Sequence, residues 1–265
     1  MAIKKPEKWE AWEFENSKMR KSLPEDLIPA KVGDAEEEAF FGFLLTLAMI
    51  FNDFKGLIVL NDTFKDVYKF EPSEINEHSG EYAGIQVQLL KLLYATVYEA
   101  LVFIRESKKI YDSRRVQGLL QQTSANNQLV WEMLNKIANG EPTNDSRFDQ
   151  FNDLREFLVK ARNNVGFHYQ TRKELIAGYR KFFVDGIANV AEDARRWAYR
   201  STSATNFNSS RYYYADAALQ GYYVNLFGDE KLAQQRTDET FSLVNLIVFA
   251  VSDLLLRRHA SLPNR

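Results

Sequence analysis

Apolar residues recur at the spacing of an α-helix along most of this chain. From Asp34 onward they lie three and four positions apart, which places them on one face of a helix. Asp34 is a suitable N-terminal cap, and the three glutamates that follow it suit the positive end of the helix dipole. We predict that this first helix continues past Gly56 to about residue 68, where Pro72 and the polar segment 73–80 end it.

The same period predicts helices over the rest of the chain. The segment 201–210, rich in serine and threonine, is the clearest loop, and residues 139–142, Asn-Gly-Glu-Pro, end a helix. Neither strand-like alternation nor an internal repeat is present. We therefore predict an all-α fold, a bundle of long antiparallel helices. The further helices are predicted at about 79–104, 112–138 with a bend in the polar stretch 121–128, 145 into the segment 162–168, 172–184, 188–200, 212–227 and 229–258.

The first thirty residues differ from the rest in composition. They are charged and carry Pro6, Pro24 and Pro29, so we predict a loosely attached arm over residues 1–30. A short helix that docks its tryptophans on the body is the alternative. A chain of this length can bury a substantial core, as one large domain or two small ones. We predict a single all-helical domain over residues 31–265.

Charge and apolar run length narrow the class of protein. The formal net charge is −2, so any RNA contact must come from a local basic patch. The absence of cysteine excludes disulfides and cysteine nucleophiles. The uncharged runs 39–52 and 241–252 are shorter than the roughly 20 residues of a membrane span. We therefore predict buried helices at both runs, no membrane association and a cytoplasmic location.

The segment 160–169 combines side chains that can act on RNA without a metal ion. It has the sequence Lys-Ala-Arg-Asn-Asn-Val-Gly-Phe-His-Tyr and holds Arg162 and His168, one of three histidines in the chain. An imidazole exchanges a proton near neutral pH. A guanidinium neutralises charge that develops on a phosphate. These two side chains are therefore the first candidates for catalysis.

The spacing within this segment resembles the signature of a known superfamily. Arg162 is followed by Asn163 and, with five residues between arginine and histidine, by His168. This pattern resembles the HEPN superfamily, all-helical domains of which many are metal-independent ribonucleases. The resemblance implies an HEPN-like core with additional helices. It also implies an endoribonuclease of bacterial defence or of a toxin system.

The resemblance further implies a role for each motif residue. His168 would deprotonate the ribose 2′-hydroxyl or protonate the leaving 5′-oxygen, Arg162 would stabilise the phosphorane-like transition state, and Asn163 would orient the phosphate or the histidine. Two such segments meet across a dimer interface in the family, so a homodimer is expected. RNA and a protein inhibitor or partner subunit are the other expected partners. The product would carry a 2′,3′-cyclic phosphate, and neither a cofactor nor a metal is expected.

Helical geometry and packing leave an alternative for the same segment. At roughly 100° per residue, Arg162 and His168 lie about 120° apart on a straight helix, so their convergence needs a bend or a second subunit. Alternatively, His168 lies in a helix-packing seam and Arg162 pairs with Glu156 or Asp153. The chain would then be a non-catalytic scaffold that binds RNA or protein.

Two clusters of basic residues are candidates for RNA binding. Basic side chains beside aromatic rings can hold phosphates and stack bases. The alternative is a solvated face whose aromatic residues turn toward the core. The first cluster surrounds Tyr111, and its basic members are Lys108, Lys109, Arg114 and Arg115. The second surrounds Trp197 and Tyr199, and its basic members are Arg195, Arg196 and Arg200.

The remaining polar residues point to no second kind of chemistry. His78 lies in a polar stretch with too few neighbouring ligands for a metal site, and His259 is predicted to be a favourable cation at a helix end. Asp149 and Asp153 lie four residues apart, but a matching second acidic pair with a histidine is missing. Phosphate-binding loops, nucleophile elbows and zinc-protease motifs are absent from the sequence.

Overall fold

The computed structural model describes residues 27–29, 31, 33–68, 77–162, 172–185 and 212–262. Within these ranges the regular elements are all helical, which confirms the predicted fold class. A 3₁₀ turn at Asp149–Phe151 precedes α6. The α-helices are α1 Ala35–Tyr68, α2 Glu77–Glu106, α3 Lys108–Tyr111, α4 Arg114–Leu120, α5 Ala125–Asn139, α6 Leu154–Ala161, α7 Arg172–Phe183, α8 Tyr213–Phe227 and α9 Glu230–Ala260.

Four helices form the central bundle. α1 and α5 each pack against both α2 and α9, so the four form a ring. Near its C-terminal end, α9 places Arg258 over the ring of Phe41 and within 3.2 Å of the Leu27 carbonyl oxygen, so α1 and α9 are antiparallel. The backbone N–H of Ser124, just before α5, lies 3.5 Å from Oδ2 of Asp253. Trp131, in the middle of α5, donates to the carbonyl of Ala250, which comes earlier in α9, so this pair is antiparallel too. The predicted antiparallel bundle is therefore confirmed.

The start and length of the first helix agree with the sequence prediction. The Asp34 side chain accepts a hydrogen bond from the backbone N–H of Glu37 at 2.8 Å, as an N-terminal cap does. The helix then continues without interruption for 34 residues, through Gly42 and Gly56, to Tyr68. Its buried face carries Leu47 and Phe54, both fully buried. Tertiary packing of that face outweighs the helix-weakening effect of the two glycines.

The predicted helix 112–138 is two helices instead of one bent helix. α4 ends at Leu120, and α5 begins after Ser124, whose hydroxyl accepts the backbone N–H of Asn127 at 3.1 Å. A serine that caps a new helix competes with continuation of the old one, and this explains the break. The predicted end is confirmed at Gly140, whose φ of 73° is the left-handed conformation that closes many helices.

The predicted helix from 145 begins later than expected. Asp145 accepts a hydrogen bond from the backbone N–H of Arg147 at 3.0 Å and pairs with its guanidinium at 2.7 Å. This local turn replaces the first helical turn, and only the 3₁₀ turn precedes α6. α6 itself is amphipathic and buries Leu154, Leu158 and Ala161.

Helices α7 and α8 pack with their backbones in direct contact. The glycines Gly178 and Gly221 face each other, and a Cβ atom at either one would overlap backbone atoms of the opposite helix. α8 packs in turn on α2 and α9, so it connects α7 to the bundle. The predicted helices 172–184 and 212–227 are confirmed. The predicted arm 1–30 lies mostly, and the helix 188–200 and the loop 201–210 lie entirely, outside the described residues.

Trp131 links α5 to α9 in the centre of the core. Its side chain is 1% exposed, and its indole N–H donates to the Ala250 carbonyl at 3.2 Å. We expect Trp131→Phe to lower the free energy of unfolding by about 1–3 kcal/mol, because both this hydrogen bond and part of the packing are lost. Urea denaturation followed by circular dichroism measures the change. A loss below about 0.5 kcal/mol, the range of ordinary surface substitutions, would contradict the expected role.

The long helices contain longer apolar stretches than the uncharged runs 39–52 and 241–252 indicated. Ala35–Asp66, Tyr82–Glu106 and Lys231–Ala260 are each long and apolar enough to cross a membrane, judged by length and composition. The short uncharged runs therefore underestimated these helices, since both runs belong to elements of more than 30 residues. In the folded chain these helices bury one face in the bundle. Leu45 and Met49 of α1 remain more than half exposed.

Candidate functional site

Of the three motif residues, Arg162 is the one that lies within the described residues. It caps the C-terminal end of α6, and its guanidinium lies over the ring of Tyr98 in α2, 5.5 Å from the ring centroid. Its Nη2 lies 3.3 Å from Oε1 of Glu99. The side chain of Arg162 is 36% exposed and that of Glu99 is 57% exposed. Tyr98 and Glu99 therefore orient a guanidinium that solvent and a ligand can still reach.

The buried face of α6 fixes the position of this arginine. Phe157 packs against the rings of Tyr94 and Phe227, with centroids 5.2 Å and 4.6 Å away. Tyr94 is almost fully buried, and its hydroxyl bonds with the Thr237 hydroxyl at 3.0 Å. Burial raises the pKa of Tyr94 to about 12, so it stays a neutral hydrogen-bonding group near pH 7. This packed cluster joins α2, α6, α8 and α9, and its member Tyr94 lies four residues before Tyr98 on α2.

The expected structural partners of Arg162 were wrong. Glu156 pairs with Lys160 at 2.7 Å, and this hydrogen bond holds the pKa of the Glu156 carboxyl below its usual value. Asp153 lies 4.0 Å from Arg236 of α9. The contacts described for Arg162 include Tyr98 and Glu99, which are more than sixty residues away in sequence, and nothing in the local sequence signals them.

The other two motif residues lie outside the described residues. Asn163 and His168 fall in the range 163–171, so their distance from Arg162 stays undetermined and their catalytic roles stay predictions. The regular helix α6 ends at Ala161, before the motif residues that follow Arg162.

In the first basic cluster, two side chains form ion pairs with carboxylates and two are exposed to solvent. Lys108 pairs with Asp112 at 2.8 Å, and Arg115 pairs with Glu37 of α1 at 3.2 Å. The backbone N–H of Gly33 and then the Arg115 guanidinium lower the pKa of the Glu37 carboxyl. Two members of the cluster are thus occupied by carboxylates. Lys109 and Arg114 are exposed.

The aromatic residue of that cluster turns toward the core. The ring of Tyr111 packs 5.8 Å from that of Trp131, and burial raises the pKa of its hydroxyl. Base stacking on Tyr111 is therefore not favoured, and the alternative of a solvated basic face describes this cluster better. Arg195 and Arg196 lie outside the described residues, so the second cluster stays a prediction.

His259 is not the favourable cation that the sequence predicted. It lies in the last turn of α9, but burial and then the charge of Arg258 lower its pKa below the usual 6.5. The helix dipole favours a cation there, yet desolvation and a like charge oppose it. Folding therefore favours the neutral imidazole of His259 over its protonated form, relative to the unfolded chain.

The lowered pKa of His259 predicts a dependence of stability on pH. The unfolded chain binds this proton more tightly than the folded chain, so stability is lost as the pH falls from about 6.5 toward the lower folded pKa. We expect the loss of stability between pH 7.5 and pH 5.5 to be smaller in His259→Gln than in the wild type. Urea midpoints of both proteins at the two pH values measure this difference, and identical losses would contradict it.

Two further observations bear on the chemistry of the site. In the part of the chain that the structure describes, no group of three or more histidine, aspartate or glutamate side chains is arranged to hold a metal ion. The chain matches no protein-family model, no curated protein and no solved structure. The resemblance of segment 162–168 to HEPN proteins therefore rests on the residues of the motif alone.

Proposed function

We propose that this protein is a metal-independent endoribonuclease of the HEPN type. Arg162 would stabilise negative charge on the phosphate while the ribose 2′-oxygen attacks phosphorus and the 5′-oxygen leaves. His168 would accept the first proton or donate the second, and Asn163 would orient the phosphate. The reaction releases a 2′,3′-cyclic phosphate and a 5′-hydroxyl.

The observation that carries this proposal is the position of Arg162. A catalytic arginine must be held in a defined orientation and must reach solvent. The contacts with Tyr98 and Glu99 support the first condition, and the 36% exposure of the Arg162 side chain supports the second. Both members of the ion pair are partly exposed, so an incoming phosphate would compete with the Glu99 carboxylate for the guanidinium. The ion pair is worth only about 0–1 kcal/mol at such exposure.

The proposal is tested by incubating RNA with purified protein in EDTA. Wild type should cleave RNA and leave cyclic-phosphate ends, whereas His168→Ala should not, with both proteins folded by circular dichroism. Equal cleavage by both would assign the activity to another site or to a contaminant. Absence of cleavage by both would favour a scaffold.

A non-catalytic scaffold for RNA or protein is the second candidate. The contacts of Arg162 with Tyr98 and Glu99 favour it, because they also connect α6 to α2. On this hypothesis Arg162→Ala lowers the melting temperature, and the chain binds RNA or protein without cleaving it.

We further propose a homodimer that acts in the cytoplasm, with RNA and a protein inhibitor or partner subunit as partners.

A further inference from the structure

An open groove lies on the bundle between α1, α2 and α9. Its volume is about 450 Å³, within the range of small-molecule sites. Phe54, which is fully buried, lies at its base, while Ile58 and Phe241 are about 40% exposed on its sides. Arg162 does not line this groove. The groove is therefore distinct from the part of the candidate nuclease site that Arg162 forms.

The lining of the groove changes from polar to apolar along its length. At the end where α1 finishes and α2 and α9 begin, the lining residues are mainly polar. Along each helix the lining then becomes apolar, apart from one asparagine. On α1 the order is Lys65, Asn61, Ile58, Leu57 and Phe54; on α2 it is Gln86, Leu89, Leu90 and Leu93; on α9 it is Gln234, Thr237, Phe241, Val244 and Asn245.

The polar end offers donors and one positive charge. Among the described lining residues, Lys65 is the one that carries a charge, and a carboxylate is missing from this set. Nε2 of Gln86 is buried and has no hydrogen-bond acceptor among the described residues. A buried donor without an acceptor destabilises the folded chain, so an acceptor on an occupant of the groove would be stabilising.

We propose that this groove binds a single-chain amphiphile with a carboxylate head group, of the chemical class of a medium-chain fatty acid. The carboxylate lies at the polar end, where it accepts from Gln86 and neutralises Lys65. The hydrocarbon chain lies along the apolar part and covers Phe54 and Leu93. Among the described lining residues Lys65 carries the one charge, so an anion is favoured over a cation at this end of the groove.

Titration calorimetry of the full chain with sodium dodecanoate below its micelle concentration tests this proposal. We expect saturable binding of one dodecanoate per chain and at least tenfold weaker binding of dodecyltrimethylammonium, which has the same chain and the opposite charge. Lys65→Met should weaken dodecanoate binding about tenfold, equivalent to about 1.4 kcal/mol, and should reduce the preference for the anion. Lys65 is exposed, so this variant is expected to fold.

A matched pair of tryptophan substitutions separates the groove from general apolar adsorption. Ile58 and Leu60 are both 40% exposed on α1, but Ile58 alone of the two lines the groove. Ile58→Trp should abolish dodecanoate binding, and Leu60→Trp should leave it unchanged. Equal effects of the two, equal affinity for the cationic amphiphile, or no saturable binding would each overturn the proposal. If the protein sediments with phosphatidylcholine vesicles but does not bind monomeric dodecanoate, the proposal is overturned and the groove is assigned to contact with a membrane surface.

Discussion

Arg162→Ala should abolish RNA cleavage in EDTA and leave the protein folded. The guanidinium is the group that the structure offers to a developing phosphate charge, and loss of one such donor reduces the rate of other enzymes about 10²–10³-fold. Stability should change by less than about 1 kcal/mol, since the arginine is 36% exposed and its ion pair with Glu99 is solvated. Cleavage rate and melting temperature are measured on the same preparation.

Lys160→Ala is the matched control for this prediction. Lys160 lies two residues earlier, also in an exposed ion pair, with Glu156 on the same helix. Its loss removes the same charge from the same region without touching the guanidinium site. Cleavage should persist in this variant. If both variants lose activity equally, the effect is one of net charge, and if Arg162→Ala keeps activity, the proposed role of Arg162 is excluded.

Gly178→Ala should destabilise the protein by roughly 3 kcal/mol or more, at the upper end of what overpacking costs. The added Cβ would overlap backbone atoms of Ala218 and Tyr222, and backbone atoms cannot move aside as a flexible side chain can. Gly221→Ala should act in the same way, because its Cβ would overlap the backbone of Gly178. Thermal denaturation measures the loss, and amide hydrogen exchange shows whether α7 separates from α8.

Two glycines of α1 provide controls with the opposite expected sign. Gly42 and Gly56 are exposed, and a Cβ at either would meet no atom within 4 Å among the described residues. Alanine at these positions should stabilise the protein by about 0.5–1 kcal/mol through its higher helix propensity. Destabilisation by all four substitutions would contradict the stabilisation expected from helix propensity at Gly42 and Gly56. Neutral effects at Gly178 and Gly221 would exclude the close crossing of α7 and α8.

Helix boundaries could be predicted where a local signal exists. The Asp34 cap and the left-handed Gly140 both act within a few residues of their own positions, so the sequence displays them directly. The division at Ser124 and the turn at Asp145 also have local causes, but a serine or an aspartate permits a helix as well as capping one. Periodicity alone therefore predicted one helix over residues 112–138, where the structure has two, and placed the start of α6 too early.

The surroundings of the candidate site could not be predicted. Arg162 can pair with any acidic residue that the fold brings near, and the sequence favoured local partners over Glu99. His259 shows the same limit, since its position at a helix end is local but its desolvation comes from the packing of α9. Both cases depend on contacts between helices that are distant in the chain.

The sequence by itself determined the all-helical class, most helix positions and the presence of an arginine–histidine motif, because these follow from periodicity, capping and residue type. The tertiary structure alone decided the ring of four antiparallel helices, the stacking of Arg162 on Tyr98, the crossing at Gly178 and the groove above Phe54. Each of these requires atoms from helices far apart in sequence to meet. A one-dimensional pattern specifies which face of a helix is apolar, but not which helix will cover it.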